Sequence, residues 1–237
     1  MRKAALLSLI LLAPLLLVCP AGAAAAKPPV LVELFTAQGC RSCTGANEHF
    51  AKLAERPGVL ALTFSVDYWD YLGWTDTFAK PEHAERQKAY VTRLKLREPY
   101  TPQVVVDGQR EAQGLKAVEV DRLVRAAAAA PRNPPDVRFI GPRRVDVGLG
   151  RAPRGGAEVW LVRYDPRAVE VPVRAGDNRG ETVVQRNVVR QITKLGTWRG
   201  RPQAYRMPSA ADDGLKTAVI VQHPRGGRVI AVAQQAS

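Results

Sequence analysis

The sequence predicts an α/β domain followed by a smaller all-β, sandwich-like domain. Up to about residue 130, apolar strand-like runs alternate with segments of helical periodicity. Beyond Asp136 the pattern changes to short alternating strands separated by glycine-containing turns. The 237 residues, 46% of them hydrophobic, suffice for one large or two ordinary domains. A proline-rich link at 131–135 divides the patterns, so the domains are expected to span 27–131 and 136–237.

Residues 1–26 are expected to be a secretory signal peptide. Arg2 and Lys3 precede an apolar run, and small residues that suit a cleavage site follow it. This run is shorter than the ~20 residues that a spanning helix needs, and no later segment is a candidate. The protein is therefore expected to be periplasmic or secreted, without a stable membrane span.

The first strand leads directly into a Cys-x-x-Cys motif. Val30–Thr36 is apolar and β-branched, Gln38-Gly39 ends it, and helical spacing begins after Cys40 and Cys43. A helix N-terminus presents unpaired N–H groups and the positive end of the macrodipole, which favour a thiolate over a thiol. Arg41 adds a positive charge, so a reactive Cys40 is expected.

Cysteine usage favours a redox function over a structural one. The signal peptide would remove Cys19, for which lipidation is disfavoured, and would leave Cys40 and Cys43 as one pair. A disulfide that closes so short a loop removes little chain entropy, which favours a redox role; the alternative is a purely structural disulfide. Zinc is less favoured, because two thiolates would need two further ligands.

The remaining elements of the first domain follow in order. A second buried strand is expected over Val59–Val66, because a continuous apolar run suits a parallel strand covered on both faces. Pro81 is expected to open a helix that runs to about Leu96. A hairpin with an Asp-Gly turn and an alanine-rich helix complete the domain, over Gln103–Gly114 and Leu115–Ala130 respectively.

An aromatic cluster, Asp67–Trp74, follows the second strand. In open α/β sheets, ligand sites collect beyond the carboxyl ends of parallel strands, where the Cys-x-x-Cys motif also lies. Trp69, Tyr71 and Trp74 are therefore candidates for a rim that contacts substrate beside the thiols. The alternative is that they form a satellite core cluster.

The second domain carries no predicted catalytic group. It contains no cysteine, its only histidine is His223, and a scaffold or partner-recognition role is expected. Its predicted strands are Val137–Ile140, Arg144–Leu149, Glu158–Tyr164, Val169–Val173, Thr182–Thr193, Gln203–Arg206, Thr217–Gln222 and Val229–Ala233.

The formal net charge of +13 does not by itself indicate nucleic acid binding. The arginines are scattered through strands and turns, no block of five or more basic residues occurs, and export would separate the protein from nucleic acid. A solvated basic surface and no nucleic acid partner are expected. The glycine-rich turns lie between strands rather than before helices, so no nucleotide motif is recognised.

The order of elements over about residues 29–130 resembles the thioredoxin fold. That resemblance implies a cis peptide bond before Pro102 beside the cysteines, with the backbone of Thr101 free to pair with an extended substrate. It also implies that Glu33 is a general base for Cys43, the alternative being a Glu33 that faces solvent or pairs with an arginine. The insert before Thr101 is longer than in classical thioredoxins, so their partners are not carried over.

Four motifs are similar to those of a narrower group, the exported bacterial thioredoxin-like proteins of domain-of-unknown-function family 1223. They lie at Glu33–Cys40, Val66–Trp74, Tyr100–Gly108 and Asn187–Arg190. The resemblance covers most of the mature chain and implies a fold and a chemistry, without a substrate.

These observations together predict an exported thiol–disulfide oxidoreductase that acts on protein or small-molecule disulfides with an unidentified redox partner. Cys40 would attack and Cys43 would resolve the mixed disulfide, and no cofactor is expected beyond this redox-active pair. One alternative is a Cu(I)-binding, metallochaperone-like module that uses the two sulfurs with His49 or His83. The other is a non-catalytic interaction protein with a structural disulfide.

Overall fold

The computed structural model describes residues 27–209 and 213–236, so the predicted signal peptide lies outside the described residues. Within them are α1 Cys43–Ala54, α2 Pro81–Leu94 and α3 Ala117–Ala129. The strands are β1 Val30–Thr36, β2 Val59–Ser65, β3 Gln103–Val106, β4 Arg110–Gln113, β5 Val137–Phe139, β6 Arg144–Val147, β7 Ala157–Pro172, β8 Thr182–Trp198, β9 Gln203–Arg206, β10 Lys216–Gln222 and β11 Val229–Gln234. In the part of the chain that is described, no helix is both long and apolar enough to cross a membrane.

Eight strands form one mixed sheet in the order β11-β10-β7-β8-β2-β1-β3-β4. β1 and β2 are parallel over their whole length, from the Val30–Val59 pair to the Thr36–Ser65 pair. β3 runs antiparallel to β1, and β4 antiparallel to β3. The carboxyl ends of β1 and β2 therefore lie side by side, and the chain leaves β1 there toward the cysteines.

β1 is buried on both faces, which explains why its sequence is almost continuously apolar. On one face, Leu31 and Phe35 belong to a core cluster with Phe64 and Tyr90. On the other, Val32 and Leu34 pack in a second cluster with residues of α1 and α3, among them Phe50, Leu53, Val120 and Leu123. β1, the strand that precedes the cysteines, therefore lies in a sheet that is covered on both faces in the N-terminal half.

The large sheet continues across the predicted boundary at 131–136. β8 pairs in parallel with β2 through Thr63 and Val188, and β7, β10 and β11 extend the sheet beyond it. A second sheet, β5-β6-β9, shares a core cluster with these strands. Val145, Val159, Leu161, Trp198 and Val219 are among its buried members. The described residues after Pro135 therefore contribute to two layers, one of which is the same sheet that carries β1.

β7 is longer than the sequence predicted, because Pro166 does not end it. The two predicted strands Glu158–Tyr164 and Val169–Val173 are one strand of 16 residues, with a register shift between Asp165 and Ala168. A proline lacks the N–H that a sheet ladder needs, and a bulge removes that need. β7 and β8 consequently form one long antiparallel ribbon.

The β3–β4 turn docks against the β10–β11 turn. The N–H of Val229 donates to the carbonyl of Asp107 at 2.9 Å. Gly108 has a positive φ of +63°, and a Cβ there would collide with the carbonyl oxygen of Gly227. A side chain at this position would meet rigid backbone as well as a disfavoured φ.

We expect Gly108→Ala to destabilise the protein by about 1–3 kcal/mol more than Gly58→Ala does. Gly58 also has a positive φ, of +75°, but a Cβ there meets nothing within 4 Å. Both variants carry the cost of the positive φ, so the difference between their stabilities measures the cost of the collision alone. Urea unfolding of both oxidised variants measures this difference in the free energy of unfolding. Equal losses of stability would show that the β3–β4 and β10–β11 turns move apart at no cost in free energy.

Candidate active site

Cys40 and Cys43 form a disulfide at the N-terminus of α1, with their Cα atoms 5.4 Å apart. Cys43 is the first residue of the helix, and its N–H donates to the carbonyl of Cys40 at 3.0 Å. Ser42, at the N-cap, makes no side-chain hydrogen bond to the helix, and its hydroxyl lies 3.5 Å from Cys40 Sγ. Both cysteines are 1% exposed. The disulfide is therefore enclosed while it lies at the positive end of a helix.

Thr101 and Pro102 lie beside Cys40. The peptide bond between them is cis, the conformation that the resemblance implied. Thr101 Oγ1 donates to Cys40 Sγ at 3.3 Å. Pro102 is buried against Gly114, where a Cβ would approach Pro102 to 2.9 Å and Ala46 of α1 to 3.0 Å. The absence of a side chain at Gly114 lets this loop approach the helix that carries the disulfide.

The aromatic segment is tied to both sides of the disulfide. Trp69 Nε1 donates to Thr101 Oγ1 at 2.7 Å, and Trp74 Nε1 donates to Gln38 Oε1 at 2.9 Å. Tyr71 stacks on Trp69 with centroids 6.4 Å apart, yet its side chain is 78% exposed. Trp69 also packs against the core cluster that contains both cysteines. Trp69 and Trp74 therefore lie next to the site, and Tyr71 faces solvent.

Asp76, which was not among the predicted site residues, fixes the loop that precedes Cys40. Its Oδ2 accepts the N–H of Gln38 at 2.7 Å, while Oδ1 accepts those of Phe78 and Ala79 at 2.9 and 3.1 Å. Burial raises the pKa of Asp76, although these three backbone bonds oppose the rise. A local signal existed, because an aspartate that bonds the N–H groups two and three residues on is a recognised turn former.

Asn178 reaches the same loop from the β7–β8 connection. Its Nδ2 donates to the carbonyl of Gln38 at 2.7 Å and to that of Cys40 at 3.1 Å, and the residue is 3% exposed. No pattern in the sequence marks this contact, which joins residues 138 positions apart. The C-terminal half therefore supplies a direct hydrogen bond to the backbone of Cys40.

Glu33 is fully buried and ion-paired, which is one of the alternatives that the sequence left open. Arg86 Nε donates to its Oε1 at 2.6 Å, and the hydroxyl of Tyr90 donates to its Oε2. Gln222 of β10 completes the network through hydrogen bonds to Arg86 and Tyr90. Burial raises the pKa of Tyr90. Burial by itself would lower the pKa of Arg86, but the charge and hydrogen bond of the Glu33 carboxylate oppose this effect, and the pKa is raised. Among the described residues, Glu33 makes no hydrogen bond to Cys43.

The other predicted site residues are engaged elsewhere or exposed. Arg41 is exposed and has no acceptor among the described residues. His49 Nε2 lies 3.3 Å from Asp121 Oδ1, on the side of α3. His83 is buried with its Nδ1 2.9 Å from the carbonyl oxygen of Ser65, so Nδ1 carries the proton, and burial lowers its pKa. In residues 27–209 and 213–236 no three His, Cys, Asp or Glu side chains are grouped as metal ligands.

Comparisons with known proteins give a family and a structural neighbour. The model of a family described as "Protein of unknown function (DUF1223)" matches residues 31–222. A crystal structure of a protein from Agrobacterium tumefaciens is similar, with a TM-score of 0.71 and 29% sequence identity over 86% of this chain and 92% of that one. No curated protein matches the chain.

Replacing Glu33 by glutamine should destabilise the protein by about 3–5 kcal/mol, because it leaves the buried charge of Arg86 uncompensated. Urea unfolding measures this loss. Asp146→Asn is the control, since the Arg144–Asp146 pair is largely exposed and its loss should change stability little.

The double variant Glu33→Leu/Arg86→Met should recover much of the stability, because it removes both charges together.

The Glu33→Gln variant also tests the hypothesis that Glu33 is a general base for Cys43. A base for Cys43 predicts slower resolution of a Cys40 mixed disulfide between pH 6 and 8, whereas unchanged kinetics would leave Glu33 a structural residue.

Proposed function

This chain belongs to the DUF1223 family of proteins of unknown function, and we propose that it is an exported, thioredoxin-like thiol–disulfide oxidoreductase. The observation that carries the proposal is the geometry around Cys40. Its sulfur belongs to a disulfide at a helix N-terminus and accepts a hydrogen bond from the Thr101 hydroxyl at 3.3 Å. Both features stabilise a thiolate on Cys40 once the disulfide is reduced.

The reaction would proceed through a mixed disulfide. In the reduced protein, the Cys40 thiolate attacks one sulfur of a substrate disulfide, whose S–S bond breaks as the first substrate thiolate leaves and takes a proton. The Cys43 thiolate then attacks the Cys40 sulfur, which releases the second substrate thiol and re-forms the Cys40–Cys43 bond. Two electrons pass from the protein to the substrate, and a thiol or dithiol partner would return them. The same steps in reverse oxidise a substrate dithiol.

Cys40 rather than Cys43 is assigned as the attacking residue because of its neighbours. The hydroxyls of Thr101 and Ser42 lie within 3.3 and 3.5 Å of its sulfur, and the exposed guanidinium of Arg41 follows it in the chain. Cys43 belongs to the first turn of the helix, and none of the side-chain hydrogen bonds in the described residues involves its sulfur. A thiolate on Cys40 would therefore have more donors than one on Cys43.

The sheet order supports a thioredoxin-like assignment. The four strands β2-β1-β3-β4 combine a parallel β1–β2 pair with antiparallel β3 and β4. The disulfide follows β1, and the Thr101–Pro102 bond precedes β3, its antiparallel neighbour. The Pro102 loop and the start of α1 therefore lie at the same end of these two neighbouring strands, as the proposed chemistry requires.

Burial of the disulfide restricts which encounters are productive. Cys40 is 1% exposed, and Trp69 is hydrogen-bonded to the residue that contacts its sulfur. An external thiolate would therefore reach Cys40 only after the residues that cover its sulfur move. Among the three predicted rim aromatics, Tyr71, which is stacked on Trp69, is the exposed one and is open to contact with a substrate.

The proposal predicts opposite outcomes for the two cysteine variants in a Cys19→Ser background. With 5,5′-dithiobis(2-nitrobenzoate), reduced Cys43→Ser should accumulate a stable mixed disulfide on Cys40, because no resolving thiol remains. Reduced Cys40→Ser should react at least tenfold more slowly, since its remaining thiol lacks the hydroxyl donors.

Mass spectrometry of the adducts and release of the coloured thiolate measure both reactions. The protein with both cysteines should also accelerate reduction of insulin by dithiothreitol. Equal rates for the two variants, together with no acceleration of insulin reduction, would refute the oxidoreductase assignment and favour a structural disulfide.

Thr101→Ala should slow alkylation of reduced Cys40 by iodoacetamide about three- to tenfold at pH 6. The lost hydrogen bond, about 0.5–1.5 kcal/mol, would raise the Cys40 pKa by up to about one unit and reduce the thiolate fraction. Thr101→Ser keeps the hydroxyl and should restore the rate. If the alanine variant reacts as fast as the serine variant, the hydroxyl does not stabilise the thiolate.

A further inference from the structure

A cleft of about 770 Å³ lies between the end of α3 and β11, and the proposed redox chemistry does not use it. Five basic side chains line it: Arg132, Arg151, Arg154, His223 and Arg228. The only acidic residue in its lining is Asp107. The five basic groups come from the 131–135 link, the β6–β7 connection and the β10–β11 turn, so the fold assembles them from three separate segments.

Within the described residues, the positive charge of the cleft is neutralised only at Arg132. Asp107 accepts the N–H of Leu31 at 2.9 Å through Oδ1 and is ion-paired with Arg132 through Oδ2. Arg151, Arg154 and Arg228 are exposed, and none of them has a carboxylate or hydrogen-bond acceptor among the described residues. Three arginines with no acceptor among the described residues therefore line one cleft, and guanidinium groups match phosphate and carboxylate oxygens in pairs.

The cleft also offers a neutral donor and apolar surface. His223 makes no side-chain hydrogen bond to the described residues, and burial, followed by the charges of Arg228 and Arg93, lowers its pKa. A neutral imidazole keeps one N–H for an anionic oxygen. Pro131, Pro153 and Ile230 supply apolar contacts in the same lining. This mixture of apolar surface and a few polar groups is typical of small-molecule sites, whose volumes are commonly about 300–1,000 Å³.

The cleft and the disulfide lie at opposite ends of β1. Asp107 binds the backbone near the start of the strand, at Leu31, whereas Cys40 follows its end at Thr36. A strand of this length spans roughly 20 Å. A ligand in the cleft would therefore not touch the disulfide, and the two sites are testable independently.

A second depression adjoins the cleft. Ala152 and Pro153 line both cavities, and the second one adds Arg199 and Arg201. The cationic surface thus continues beyond the first cleft and favours a ligand with more than one anionic group.

We propose that this cleft binds a small molecule that carries at least two phosphate or carboxylate groups. Arg151, Arg154 and Arg228 hold the anionic groups, and His223 contributes a hydrogen bond. Binding is a function of this site alone and does not require the cysteines.

Isothermal titration calorimetry in 150 mM NaCl tests the proposal with inorganic tripolyphosphate and citrate as probes. Added salt screens nonspecific attraction to the basic surface. We expect saturable binding of at least one probe with a stoichiometry of one, and at least a tenfold weaker affinity for Arg151→Ala/Arg228→Ala. Preference for tripolyphosphate identifies a phosphate site, and preference for citrate a carboxylate site.

The control variant is Arg97→Ala/Arg174→Ala, which removes the same charge from exposed arginines outside the cleft that also have no acceptor among the described residues. It should bind like the wild type. Equal weakening in both double variants, or no binding of either probe, would overturn the proposal. Cys40→Ser/Cys43→Ser should bind normally, so failure of the redox proposal would leave this result unchanged.

Discussion

The buried ion pair between Glu33 and Arg86 is the contact on which the arrangement of the chain depends. A buried carboxylate is costly unless it is paired and hydrogen-bonded, and both oxygens of Glu33 meet this requirement through Arg86 and Tyr90 of α2. Gln222 of β10 bonds both of these side chains. One polar network therefore fixes β1, α2 and β10 relative to one another, and it joins the N-terminal and C-terminal halves beside the core cluster that these three elements share.

The surroundings of the disulfide are held by the same long-range arrangement. The loop between β1 and Cys40 is bonded on one side by Asp76 and on the other by Asn178. Trp69 orients the Thr101 hydroxyl, which in turn bonds the Cys40 sulfur. Donors positioned before a reaction cost no reorganisation when charge develops, so a Cys40 thiolate would form in a prepared environment. The proposed chemistry thus depends on residues from both halves of the protein.

The two ends of β1 differ in chemical character. Past Thr36 lie the sulfurs and the aromatic segment, whereas near Leu31 the surface is a cationic cleft. The arginines are scattered along the chain, a pattern that predicts a solvated basic surface and does not predict this cleft. Only the approach of the 131–135 link to the β6–β7 and β10–β11 connections brings Arg132, Arg151 and Arg228 together. Part of the net positive charge of the protein is therefore concentrated in this cleft.

Features that depend on neighbouring residues could be predicted from the sequence. β1, the start of α1 at Cys43, the start of α2 at Pro81 and the pairing of two cysteines three positions apart all follow from local patterns. The partner of Glu33, the bond from Asn178 and the continuation of the sheet from β2 into β8 follow only from how the chain packs in three dimensions. These contacts join residues 53 to 140 positions apart, and hydrogen bonds over such separations depend on strand register and helix packing, which leave no periodic pattern in the residues that form them.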